Sequence, residues 1–134
     1  MRVAYVDTSC FVAIAFAEAG SAAVARTLQA HDILLSSNLL EAELRAALRR
    51  DNVTADPKEL LSSIAWVYPD RALTSEITIV LDAGYVRGAD LWHLASALFV
   101  DPNREIAFLT LDARQRRISY QLGFAAGGIE TDVS

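Results

Sequence analysis

The chain has 134 residues, of which 53% are hydrophobic and 22% charged. That balance suits one folded domain over residues 1–134 with a sizeable core, and it excludes a disordered chain. The net charge of −5, carried against eleven arginines and the single Lys58, argues against indiscriminate binding along a phosphate backbone. It leaves room for a nuclease whose metal-binding acids supply the negative charge. No apolar run nears the ~18 residues that cross a bilayer, and Asp7 interrupts the first apolar stretch, so no secretory leader is expected. The lone Cys10 reads as a small core residue, and the cytoplasm is the expected compartment.

Short apolar strands alternate with amphipathic helices. Residues 2–6 read as a buried strand, with Thr8 or Ser9 capping a helix that runs to about Glu18. After Gly20 the pattern predicts a helix over 21–30, a strand over 33–35, and a helix from the cap Ser36-Ser37-Asn38 to about Arg50. Asp56-Pro57-Lys58-Glu59 combines an acidic cap, an early proline and a glutamate, which opens a helix to about Ser63. A strand at 65–68 stops at Pro69, and a helix opens at Ser75 and ends around Gly84. A helix over 89–100, a strand over 106–109 and a helix over 113–122 follow, with Gly123 in the position after that helix. Residues 124–126 read as a last strand and 127–134 as a loose tail. Such alternation predicts a parallel sheet with helices on both faces and a ligand site beyond the carboxyl ends of its strands.

Four acids stand just after or within apolar runs: Asp7, Glu43, Asp90 and Asp112. Asp7 closes Val3-Ala4-Tyr5-Val6, and Asp112 follows Ala107-Phe108-Leu109-Thr110-Leu111. Glu43 has Leu39, Leu40, Ala46 and Ala47 at helical spacing and no cation there, whereas Glu41 has Arg45 four residues on. Asp90 and Asp112 also fit the bland role of a helix cap or first-turn acid. Asp82, with Thr78, Ile79, Tyr85 and Val86 around it, is a rival candidate, while Glu18, Asp32, Asp51, Asp70 and Asp101 read as surface acids. Gathered in one place, the four carboxylates would repel one another unless a divalent cation neutralised them.

With one cysteine and two separated histidines there is no zinc spacing. Oxygen ligands alone point to Mg²⁺ or Mn²⁺. His93, one turn after Asp90, reads as a histidine packed beside such a site more readily than as a ligand, and His31 as solvated. Arg114, Arg116 and Arg117 form a small basic cluster, either a solvated helix face or a phosphate contact for RNA. Glycine-rich phosphate loops do not occur in the sequence. A phosphatase with Asp7 as nucleophile would need a second aspartate two residues on, where Ser9 stands.

Four segments carry a family resemblance. Tyr5-Val6-Asp7-Thr8-Ser9 resembles the opening strand of the PIN-domain family. Glu41-Ala42-Glu43-Leu44-Arg45 with Ala47-Leu48 resembles its second motif, the run from Ala89 to Ala97 its third, and Phe108-Leu109-Thr110-Leu111-Asp112 its fourth. The resemblance implies a three-layer α/β/α sandwich with a central parallel five-stranded sheet. It implies that Asp7, Glu43, Asp90 and Asp112 hold a metal ion, with Thr8 or Ser9 and Thr110 orienting ligands or water from behind. It further implies a metal-dependent ribonuclease of the VapC-like kind: a toxin of a type II toxin–antitoxin pair, inhibited by a cognate antitoxin protein and commonly a homodimer. In that family a partner helix packs near the first helices, so Phe11, Ile14, Ala15 and Phe16 are either a contact face or core. A non-catalytic interaction module and a non-toxin RNA- or DNA-processing nuclease are the alternatives.

Overall fold

The apolar tetrapeptide Val3–Val6 forms strand β1, and the chain then alternates as expected. It passes through α1 (Thr8–Ala15), α2 (Ser21–Gln29), β2 (Ile33–Ser37), α3 (Leu39–Arg50), α4 (Lys58–Leu61) and β3 (Ile64–Val67). It continues with α5 (Thr74–Ala83), α6 (Gly88–Val100), β4 (Ala107–Leu109) and α7 (Ala113–Leu122). These elements are those of a computed structural model, which describes residues 1–129.

All strand pairings are parallel, in the order β3-β2-β1-β4. Two-residue alternation sorts each strand between two helical layers. Ala4, Val6, Leu34 and Leu109 pack with Phe11, Leu28 and Leu44, on the side of α1 to α4. Tyr5, Leu35 and Phe108 pack with Val80, Leu94 and Ile118, on the side of α5 to α7. The chain steps from β1 outward to β2 and β3, then returns to place β4 on the other side of β1. The winding therefore reverses between β1 and β4, which opens a crevice at their carboxyl ends.

Several expectations are corrected here. The sheet has four strands, not five: residues 124–126 meet it only through a bridge between Ala107 and Ala125, with Phe108 N–H donating to Ala125 at 2.9 Å. The left-handed glycines Gly123 (φ 104) and Gly127 (φ 66) bracket that segment too closely for a ladder to extend. Residues 127–129 are not a loose tail, since Ile129 is buried in the core; 130–134 lie outside the described residues. Helix α1 stops at Ala15 rather than near Glu18, because Ala17 turns left-handed (φ 51) and Glu18 N–H reaches back to Ala13 at 2.9 Å.

His31 is buried, its Nδ1 2.8 Å from the Thr27 carbonyl, and Asp101 is buried too, accepting the Ile106 N–H at 3.0 Å. Phe11 is core, and Ile14, Ala15 and Phe16 pack partly buried against it. Cys10 is fully buried, as expected. Among the described residues, no helix is long and apolar enough to cross a membrane.

Candidate active site

Two of the four acids arrive at the crevice because each stands between a strand and the helix it starts. Asp7 has extended backbone (φ −76, ψ 154) and caps α1, its Oδ2 accepting the Ser9 N–H at 3.1 Å. Thr8 and Ser9 therefore lie inside the helix rather than capping it. Asp112 caps α7 in the same manner, with Gln115 N–H donating to Oδ1 at 2.7 Å. Asp90 lies in the first turn of α6 and Glu43 on α3. The bland cap or first-turn reading thus holds for Asp112 and Asp90, Asp7 takes the cap expected of Thr8 or Ser9, and none of this competes with a place in the site. All four acids line one open cleft of about 530 Å³. Asp82 is exposed on α5 and lies outside that cleft.

Buried hydrogen bonds hold the acids from behind. Thr110 stands between β4 and α7, its hydroxyl 3.2 Å from Asp7 Oδ2 and 3.4 Å from Ser9 Oγ. Ser9 Oγ in turn accepts the Leu111 N–H at 3.0 Å, which ties the two strand ends together. Glu43 receives the Thr8 hydroxyl at 2.7 Å and meets His93 Nε2 at 2.9 Å. His93 is wholly buried, and its Nδ1 lies 2.7 Å from the Tyr5 hydroxyl. Burial pushes the Tyr5 phenol well above its ordinary value, so it keeps its proton. Tyr5 accepts from the Ser37 N–H at 3.0 Å and donates to Nδ1, which leaves Nε2 as the donor to Glu43.

The electrostatics of the cleft are those of a crowded acid cluster. Burial and the neighbouring Asp7, Asp112 and Glu43 raise Asp90 to about 6. Glu43 goes in the opposite direction: burial disfavours its charge, but the His93 and Thr8 hydrogen bonds outweigh that and hold it below the usual glutamate range.

The family model for the PIN domain matches residues 4–120, a span that contains all four acids. The chain belongs to the PIN-domain family. PIN domains are generally metal-dependent nucleases. A segment of 64 residues, 48% of the chain, is 34% identical to the zinc finger CCCH domain-containing protein 43 of Oryza sativa subsp. japonica. The matched segment covers only 9% of that protein's length.

The donor set fits a hard divalent ion of the kind PIN domains use. It consists of carboxylates from four elements on one cleft, with Asp90 held above its ordinary value by burial and by the charge of the others. Among the described residues, no three His, Cys, Asp or Glu side chains are grouped closely enough to hold an ion together. Asp7 and Glu43 accept hydrogen bonds from Ser9, Gln115, Thr8 and His93.

Sequence reading also missed parts of the cleft. Glu18 joins its rim because α1 ends early, and Arg50 because it lies two helical turns beyond Glu43 on α3. Helical arithmetic from Glu43 was enough to find Arg50. Gln115 was overlooked although Asp112-x-x-Gln115 has the spacing of a helix-capping pair. Of the three expected RNA-binding arginines, Arg114 and Arg117 are exposed. Arg116 is buried (7% exposed), its Nη2 donating to the Thr110 carbonyl at 2.7 Å, so it buttresses the strand end instead of joining a surface cluster.

Proposed function

We propose that this PIN domain is a metal-dependent endoribonuclease acting in the cytoplasm, the toxin of a type II toxin–antitoxin pair. The observation that carries the nuclease reading is the meeting of Asp7, Glu43, Asp90 and Asp112 on one cleft, where burial and the other three acids together raise Asp90. The toxin role rests on the resemblance of the four motifs. It brings with it an inhibitory antitoxin and a homodimer.

In this reading Asp7, Glu43, Asp90 and Asp112 hold Mg²⁺ or Mn²⁺. When bound, the ion supplies an acidified water and neutralises charge on the scissile phosphate. The chain's own residues orient and exclude. Thr8 and His93 fix Glu43, Thr110 and Ser9 fix the Asp7 end of β1, and Arg50 offers a cation at the rim to a phosphate beside the cleft.

The test is cleavage of RNA by the purified protein, with Mg²⁺ or Mn²⁺ and then with EDTA. Cutting that requires the metal and disappears in Asp7→Asn and Asp90→Asn, both still folded, is the expected result. Near-full cutting by either variant would refute the assignment. Growth arrest on expression, relieved by the product of a neighbouring gene, tests the toxin role separately.

A second reading, a PIN-fold module that binds a protein partner, is favoured by one observation: the described acids do not group as ion ligands. Absence of metal uptake together with absence of cutting would select it.

A further inference from the structure

A fully buried glutamine stands behind three of the four acids. Gln115 is 0% exposed. Its Nε2 lies 3.3 Å from Asp7 Oδ1 and 3.3 Å from the main-chain oxygen of Asp90. Its Oε1 accepts the Thr110 hydroxyl at 2.6 Å, and its own N–H is the cap donor to Asp112 Oδ1 at 2.7 Å. One orientation of the amide satisfies this surrounding. A carboxylate and a carbonyl can only accept, so the nitrogen must face Asp7 and Asp90, while the oxygen faces the hydroxyl.

The local sequence explains how the side chain is freed for this. Asp112 and Gln115 occupy the cap and third positions of α7, where a glutamine ordinarily folds back onto the N–H of the capping residue. Here Thr110 Oγ1 takes that N–H at 3.1 Å, and Gln115 reaches inward. An amide suits the place because it donates to Asp7 without adding charge to an already repulsive cluster. A hydrocarbon there would strip that donor from two buried oxygens.

We infer that Gln115 is a positioning residue that sets the Asp7 carboxylate against the starts of α6 and α7, and so the spacing of Asp7, Asp90 and Asp112. The inference rests on the reading of this cleft as a metal-dependent nuclease site. Its job is geometric: β1, α6 and α7 reach the cleft from distant parts of the chain, and one side chain on α7 reaches the Asp7 end of β1 and the start of α6.

The experiment compares wild type with Gln115→Leu, which removes the amide, and Gln115→Asn, which keeps it but falls one methylene short. Mn²⁺ affinity is measured by calorimetry without RNA, and kcat and KM are measured for RNA cleavage. Expected are folded variants whose Mn²⁺ affinity falls about 10- to 100-fold and whose kcat falls while KM for RNA is unchanged. Should Gln115→Leu fail to fold, Gln115→Asn carries the comparison. Wild-type metal affinity and kcat in a folded Gln115→Asn would overturn the role of Gln115 and leave the nuclease reading intact. A wild type that neither takes up Mn²⁺ nor cuts RNA would remove both.

Discussion

At the scale of single residues, the Tyr5–His93–Glu43 chain shows how a buried hydroxyl reaches the cleft. Tyr5→Phe keeps the ring that stacks on Phe108 at 5.4 Å but deprives Ser37 N–H of its acceptor and His93 Nδ1 of its donor. The variant is expected to lose about 1–3 kcal/mol of stability, read by urea denaturation, because two buried polar groups are left unpaired. Asp90 gives a prediction with a sign. A carboxyl raised in the folded state stabilises while protonated, so the metal-free protein should lose stability as pH climbs from the ordinary aspartate range through about 6. Asp90→Asn removes that loss. Its unfolding free energy, read by urea denaturation, should exceed that of the wild type above pH 6 without metal by on the order of 1 kcal/mol after screening. Glu43 was legible in sequence as a lone carboxylate on an apolar flank. Its clasp was not, since His93 lies 50 positions away and only the packing of α6 against β1 and β2 delivers it.

Among the elements, helix starts were legible and helix ends less so. The turn before α4 is local: Asp56 accepts the Lys58 N–H at 3.0 Å, although Pro57 takes the cap position and the helix runs only Lys58–Leu61 instead of to about Ser63. The stop of α1 depends on Ala17 adopting a left-handed turn, for which alanine gives no sequence signal. The contact of α5 with α6 is fastened by Arg71, which grips Glu76 through both guanidinium nitrogens and lies over the Phe99 ring at 5.1 Å. That grip holds Glu76 down to about 2. A depressed acid stabilises above its unfolded value, so this contribution should be intact at neutral pH. It should fade as pH falls from the ordinary glutamate range toward 2, and Glu76→Gln should flatten that part of the acid-unfolding curve. Gly127 makes a different fastening. A Cβ there would lie 2.5 Å from Leu109 Cδ2 and 2.8 Å from Ala107 Cβ, on backbone at φ +66. Gly127→Ala should therefore destabilise by more than about 1 kcal/mol in thermal unfolding.

For the whole molecule, the parallel layered fold was legible because period-two strands and 3.6-period helices alternate cleanly. The strand count was not, because Phe124 to Ala126 have strand-like composition but are boxed in by two left-handed glycines. The gathering of the acids was foreseeable only in part: two lie in strand-to-helix turns, but the order β3-β2-β1-β4 is a tertiary choice. If the cleft takes up Mg²⁺ or Mn²⁺, binding must stabilise the fold as a whole. At a hundredfold excess over Kd the gain is about 2.7 kcal/mol. It should appear as a rise in melting temperature that EDTA reverses and that shrinks below pH 6, where Asp90 takes a proton.

Asp7 and Asp112 have two employments at once, since the oxygens that look into the cleft belong to the same carboxyl groups that begin α1 and α7. Truncating either to alanine therefore unpicks a helix as well as the chemistry, and inactivity in such a mutant proves little. Exchange for asparagine keeps an oxygen available to the helix while abolishing the negative charge. For this protein, that is the substitution that separates a dead enzyme from a damaged one.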